Sequence, residues 1–207
     1  MELIYKSRIE AIAKRETNYN PIIENRIVDE ARQNGPSFHR TSVFLSHSHL
    51  DAKIIKPVVV FLRSMGVDVY VDWMDETMSK ATNGETAQKL KTKIKENEKF
   101  IFLATENSLI SKWCNWEVGY GDAQKYIEKI AIFPLLESNG RWNGQEYLQI
   151  YPCIQKKDYG DYFYVVYPNG DSISLVVSIR PRACFFPLFS FLPLWLHYNL
   201  NPLCVQY

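Results

Sequence analysis

The chain lacks the motifs with which most nucleotide-binding α/β proteins hold phosphate. Its 207 residues contain neither GxGxxG nor GxxxxGK[ST], so a dinucleotide bound here would not be held in the Rossmann manner. Its four cysteines are widely spaced and form no CxxC pair, which favours free thiols over a disulfide framework or a zinc site. The formal net charge is +1, which gives no electrostatic support for nucleic-acid or membrane-surface binding.

The two ends of the chain differ from its centre. Residues 1–37 are predicted to form a helical extension, which is interrupted near residues 18–21. The first residues of this extension are charged throughout, which argues against a secretory signal. Packing on the domain, assembly and sensing of a trigger all stay open as its role. Residues 180–207 have no acidic residue, and prolines interrupt their apolar span, which argues against a membrane helix. This tail is a membrane anchor, an oligomer contact, or a disordered or non-native segment such as a frame-shifted or read-through end.

The centre alternates between short apolar runs and amphipathic stretches. Such runs are typical of strands buried on both faces, and the alternation with helices predicts an α/β fold with a parallel sheet. A hairpin follows at residues 162–179, around a turn at 168–171. Predicted strands cover residues 41–46, 67–72, 99–104 and 129–136, and predicted helices cover residues 51–65, 85–98 and 111–126. We expect Asp51 to cap the first of these helices, Gly66 to end it, and Pro57 to kink it or shift its boundary.

One helix carries an unusual pair of side chains. Trp113 and Glu117 are four residues apart in SKWCNWEVGYG, so they share a helix face. Ligands bind outside the carboxyl ends of strands in open parallel sheets, and this helix follows such an end. The pair suits a flat cationic ring, but it also fits an ordinary core edge. Trp116 is expected to point away into the core.

Three segments, SVFLSHSHLD, VDVYVDWMDE and SLISKWCNWEVGYG, resemble the three conserved boxes of the Toll/interleukin-1 receptor (TIR) domain family in its bacterial form. The third is similar to the S-x-W-C-x-x-E motif. The resemblance covers roughly residues 41–148, and we assign residues 38–179 to the domain. It implies a flavodoxin-like parallel sheet flanked by helices, and it does not extend to the N-terminal helical extension or the tail.

The resemblance also implies an activity. Many bacterial TIR domains cleave NAD+ at the nicotinamide glycosidic bond, and Glu117 matches their catalytic glutamate. NAD+ is then the substrate, and neither a metal nor a further cofactor is implied. The spacing of the paired histidines does not suggest a metal site. Cys114 is not expected to act as a nucleophile. The substrate-binding residues implied are Ser46, His47, Ser48, Asp72, Trp73, Asp75 and Trp113.

The resemblance further implies a setting. Single-domain bacterial relatives often act in the cytoplasm in anti-phage defence, as in the Thoeris systems, where a nucleotide signal activates a separate effector protein. Such proteins self-associate through TIR–TIR contacts, which align the loop of one subunit with the site of the next. Two alternatives stay open: a non-enzymatic TIR scaffold, and a sensor that binds an NAD-derived nucleotide without cleaving it.

Overall fold

The computed structural model describes residues 2–33, 40–72, 83–137, 140, 144–157 and 159–179. The predictions for the tail at residues 180–207, and for Trp73 and Asp75, lie outside this part of the chain. The described strands are β1 (Ile4–Tyr5), β2 (Ser42–Ser46), β3 (Asp68–Tyr70), β4 (Lys99–Ala104), β5 (Ile130–Leu136), β6 (Cys153–Lys156), β7 (Phe163–Val166) and β8 (Ser172–Ser174). The described α-helices are α1 (Lys6–Glu16), α2 (Pro21–Gln33), α3 (Ala52–Ser64), α4 (Gly84–Glu96), α5 (Glu106–Ile110), α6 (Lys112–Gln124) and α7 (Leu175–Ile179).

All described strands join one sheet in the order β3-β2-β4-β5-β6-β7-β8, and β1 pairs with β5. The strands from β3 to β6 run parallel, while β7 and β8 are antiparallel additions at one edge. The α/β fold with a mostly parallel sheet, predicted from the alternation of apolar runs and helices, is therefore confirmed.

The sheet is covered on both faces because its central strands are apolar on both sides. Along β2, Val43 and Leu45 face one core, which α1, α2, α3 and α7 complete. Phe44 faces the opposite core, beneath α4 and α6. This alternation follows from the period of two in a strand. It also points Ser46, two residues beyond Phe44, toward α6.

The N-terminal segment packs into the domain. Ile9 and Ile12 of α1 and Val28 of α2 are buried in the same core as the sheet. Ile4 and Tyr5 pair with Leu135 and Leu136 at the carboxyl end of β5. This pairing starts α1 at the edge of the sheet where ligands bind in such folds.

Three local expectations about α3 had different outcomes. Gly66, with φ at +90°, follows the end of the helix as predicted. Pro57 lies inside α3 without ending it. Asp51 occupies the N-cap position of α3, as predicted, but its side chain makes no cap hydrogen bond. Its carboxylate bonds instead to the loop after β4.

Two further elements differ from prediction. The end of the expected hairpin, residues 175–179, forms α7, although the hairpin itself is present. The N-terminal helix begins only at Lys6, after the short strand β1. None of the helices among the described residues is long and apolar enough to cross a membrane.

Candidate active site

The candidate site lies where β2, β3 and β4 reach their carboxyl ends. Ser46 is the last residue of β2, and Asp72 follows β3. Helix α6 brings Glu117 over this edge. Its start is fixed by Ser111, whose hydroxyl accepts a hydrogen bond from the Cys114 amide at 3.3 Å. That local cap satisfies an otherwise orphaned amide at the helix start.

Glu117 is a buried carboxyl group, and among the described residues its side-chain hydrogen-bond partner is Ser46. It is 4% exposed, and its Oε2 accepts from the Ser46 hydroxyl at 2.5 Å. Burial, and then the negative charge of Asp72, raise the pKa of Glu117 to about 8, although the bond from Ser46 opposes the rise. The group is therefore largely protonated at neutral pH and would ionise readily beside a positive charge.

His47 lies between the backbone and Asp72. Its Nδ1 is 3.1 Å from the Leu45 carbonyl, and because a carbonyl can only accept, Nδ1 carries the proton. Its Nε2 is 3.6 Å from Asp72 Oδ1. His47 is 7% exposed. The ring thus links the end of β2 to the end of β3.

Ser48 has a local partner. Its hydroxyl accepts from the Leu50 amide at 3.3 Å and caps the short 3₁₀ turn His49–Asp51. The side chain is buried. Ser48 therefore shapes the turn after β2, and its predicted contact with substrate stays a prediction.

Trp113 borders a cavity of about 460 Å³ between α4 and α6. The indoles of Trp113 and Trp116 meet edge to face, with ring centroids 5.4 Å apart and planes at 82°. Trp116 packs partly against the core beneath α6, as expected, but it also shares the cavity wall with Trp113. Glu117 does not line this cavity in the described part of the chain. The lining residues are Gly84, Ala87, Gln88, Lys91, Lys112, Trp113 and Trp116.

Cys114 does not supply a nucleophile in this site. Burial, and then the charge of Glu117, raise the pKa of its thiol to about 12. Only a thiolate attacks efficiently. Cys114 instead packs in the core beneath α6, as its sequence context indicated.

The structure groups the predicted residues into two places. Ser46, His47, Asp72 and Glu117 gather at the carboxyl edge of the sheet, and Trp113 lies one helical turn away, in the cavity wall. Sequence reasoning missed that Asp51 joins this edge through Thr105. The signal was present in the polar stretch that follows β4, which begins with that threonine.

The sequence comparisons assign this fold and edge to a family. Residues 43–163 match the profile of the TIR domain. The chain belongs to the TIR domain family. The expected TIR resemblance is thereby confirmed over the segment that contains Ser46, Asp72 and Glu117.

Two curated relatives share this TIR domain. The chain is 38% identical over 135 residues to "Probable 3' cyclic ADP-D-ribose synthase ThsB'" of Bacillus cereus (strain MSX-D12), covering 63% of this chain and 68% of that protein. It is 30% identical over 81 residues to "Putative cyclic ADP-D-ribose synthase TIR2" of Cytobacillus dafuensis, covering 38% of this chain and 21% of that protein. The second match thus spans about a fifth of its relative.

Proposed function

We propose that this TIR protein consumes NAD+, cleaving the nicotinamide glycosidic bond and making a cyclic ADP-ribose signal in bacterial anti-phage defence. The observation that best supports this proposal is the buried Glu117 carboxyl group, which accepts a hydrogen bond from the Ser46 hydroxyl at the carboxyl end of the sheet. The names of the two relatives, both cyclic ADP-D-ribose synthases, support a cyclase over simple hydrolysis. They also favour an enzyme over a non-enzymatic scaffold or a sensor.

The chemistry suits a single carboxylate. When the bond between nicotinamide N1 and ribose C1 breaks, both electrons stay with nicotinamide, which leaves as a neutral base. Positive charge therefore develops at C1, and the Glu117 carboxylate stabilises it. No general acid is required. A group of the same ADP-ribose then attacks C1, closes the ring and releases its proton to solvent, whereas attack by water with the same loss of a proton would give linear ADP-ribose.

The raised pKa of Glu117 links catalysis to substrate binding. NAD+ carries a positive nicotinamide ring, and its approach favours the ionised carboxylate. The proton of the Glu117 carboxyl group is then released to solvent when the substrate binds. Without substrate, the buried group stays mostly protonated at neutral pH because its pKa is about 8. Activity should accordingly rise with pH until Glu117 is fully ionised.

The remaining substrate contacts are proposals drawn from position. Trp113 in the wall of the 460 Å³ cavity offers an aromatic face for a base of the dinucleotide. The charge of Asp72 acts on Glu117, and His47 lies beside Asp72, so we assign both side chains to the ribose hydroxyls. The family resemblance supports Ser48, Trp73 and Asp75 as further contacts. All of these act on NAD+ without a metal.

The setting of the activity is also part of the proposal. We place the protein in the cytoplasm, where its product reaches a separate effector protein. TIR–TIR self-association would complete the site by bringing in the loop of a neighbouring subunit. Both points rest on the resemblance to bacterial defence proteins.

Product analysis tests this function directly. Purified protein at high concentration is incubated with NAD+, with and without lysate of phage-infected cells, and nicotinamide and ADP-ribose species are identified by mass spectrometry. Wild type should release nicotinamide together with a cyclic isomer, and Glu117→Gln should release neither. Glu10→Gln, which alters an exposed carboxylate on α1, is the matched control and should behave as wild type. Equal inertness of wild type and Glu117→Gln under both conditions would overturn the proposal.

A further inference from the structure

Asp51 is a buried carboxylate beside the candidate site that the proposed chemistry does not use. It ends the short turn after β2 and is 2% exposed. A carboxylate at this depth is strongly unfavourable unless hydrogen bonds and positive charge compensate its lost hydration. Its partners therefore indicate what it holds together.

Those partners come from two distant segments. Asp51 Oδ2 accepts from the Thr105 hydroxyl at 2.5 Å, and Oδ1 accepts from Asn107 Nδ2 at 2.8 Å. The Lys6 ammonium, at the start of α1, lies 4.0 Å from Oδ1. One side chain thus joins the loop after β2 to the loop after β4 and to the N-terminal segment.

Thr105 is itself held in place by hydrogen bonds to Ser108. Its hydroxyl accepts from the Ser108 amide at 3.1 Å, and its amide donates to the Ser108 hydroxyl at 2.8 Å, which forms a capping box at the start of α5. The Ser108 hydroxyl also donates to the Leu103 carbonyl at 2.7 Å. Asp51 therefore fastens the whole start of α5, and α5 leads through Ser111 directly into α6.

We propose that Asp51 is a positioning residue: it fixes the segment from α5 to α6 against the end of β2, so that Glu117 meets the Ser46 hydroxyl. This role rests on the proposed function, in which Glu117 stabilises the developing charge. Asp51 does not touch the reacting atoms. Asp51 acts by placing Glu117 correctly relative to β2, which the sheet holds in a fixed position.

The pKa of Glu117 depends on this placement, so its titration can be used to detect a change in it. Among the residues that the structure describes, the charged and titratable groups near it are Asp72 from the end of β3, Cys114 on its own helix, and His47, which contacts Asp72. The bond from Ser46 lowers the pKa of Glu117, and burial and Asp72 raise it. Loss of the Ser46 bond through a loosened α6 would therefore raise this pKa further.

An exchange of carboxylate and amide gives the sharpest test. In Asp51→Asn, the side chain keeps only one acceptor oxygen and loses its negative charge. Either the Thr105 hydroxyl or the Asn107 amide must then reorient, and the bonds that remain lose their charge assistance. In the double variant with Asn107→Asp, the new carboxylate accepts from the amide at position 51, and Thr105 still donates to that side chain. The exchange thus restores the bonds between the two loops.

We expect Asp51→Asn to lower kcat on the order of tenfold with little change in the KM for NAD+, and to move the acidic limb of the pH profile to higher pH. The double variant should recover both properties. A merely structural role would reduce the folded fraction without moving that limb. An unmoved limb, or a double variant no better than Asp51→Asn, would overturn the proposal. If Asp51→Asn does not fold, Asn107→Ala removes only one bond and should shift the limb in the same direction.

A second measurement is independent of turnover. Carboxyl ¹³C NMR of glutamate-labelled protein, with Glu117 assigned through Glu117→Gln, follows its ionisation directly. The midpoint should lie near 8 in wild type and higher in Asp51→Asn. If wild type released no nicotinamide, the proposed function would fail, while this titration would still decide the role of Asp51. Identical midpoints in the two proteins would refute that role.

Discussion

Replacing Glu117 with glutamine should remove activity and stabilise the fold at alkaline pH. Glutamine keeps an oxygen that accepts from the Ser46 hydroxyl, which in the native protein lies 2.5 Å from Glu117, and it never ionises. The native carboxyl has its pKa raised from 4.5 to about 8, chiefly by burial. The folded state therefore holds this proton more tightly than the unfolded chain does.

The sign and size of the effect follow from that difference. A raised pKa in the folded state contributes stability below the unfolded value, and this contribution is lost as pH rises toward the folded value. Between pH 4.5 and about 8, the wild type should lose about 1.4 kcal/mol per pH unit relative to Glu117→Gln. The full difference is on the order of several kcal/mol, and it should level off above the folded pKa.

Urea denaturation at several pH values between 5 and 9 measures this difference. Glu10→Gln, at an exposed position, should track the wild type throughout and serves as the control. A difference between wild type and Glu117→Gln that does not change with pH would refute the burial argument. A wild type that gained stability with rising pH would show that positive charge, rather than burial and Asp72, dominates at this site.

Three further predictions test other parts of the account. The kcat/KM for NAD+ should rise with pH toward about 8, the pKa of Glu117 in the free protein, and a pH-rate profile that is flat from 6 to 8 would contradict this. Gly121→Ala should destabilise the fold by up to about 2 kcal/mol in thermal denaturation. An added Cβ would lie 3.1 Å from a buried phenylalanine ring, which costs about 1–3 kcal/mol, and the better helix propensity of alanine offsets up to about 1 kcal/mol. The control Gly119→Ala meets no atom within 4 Å and should stabilise α6 by up to about 1 kcal/mol; equal effects of the two would contradict the packing. Lys6→Met should lower kcat. Glu137→Gln removes only the charge of the outer partner of Lys6, at 2.7 Å, and should leave kcat unchanged. Equal losses of activity in the two variants would show that Lys6 acts through that outer ion pair.

The sequence predicted the central sheet well because its information is local. The apolar run of β4 stands between polar flanks, and the predicted bounds agree with Lys99–Ala104. The short strand β1 was not predicted, because Ile4 and Tyr5 form a strand only through pairing with β5. In the same way, β-branched residues favoured a strand where Leu175–Ile179 is a helix packed into the core. These elements depend on tertiary partners that no local pattern contains.

The candidate site was predicted in part for the same reason. The four-residue spacing placed Glu117 and Trp113 on one helix face. It gave too little weight to the three-residue spacing, which also brings side chains together, so the contact of Trp113 with Trp116 was missed. The partner of Glu117, Ser46, is far away in sequence, and only the packing of α6 against the end of β2 brings the two side chains within 2.5 Å.

Nicotinamide release from NAD+ by wild type and Glu117→Gln is the most direct test of the central claim. We predict nicotinamide and a cyclic ADP-ribose isomer from wild type, and neither from the variant, with both proteins shown to be folded by circular dichroism. Nicotinamide release by a folded Glu117→Gln protein at the wild-type rate would contradict the assignment of the buried carboxyl as the catalytic group.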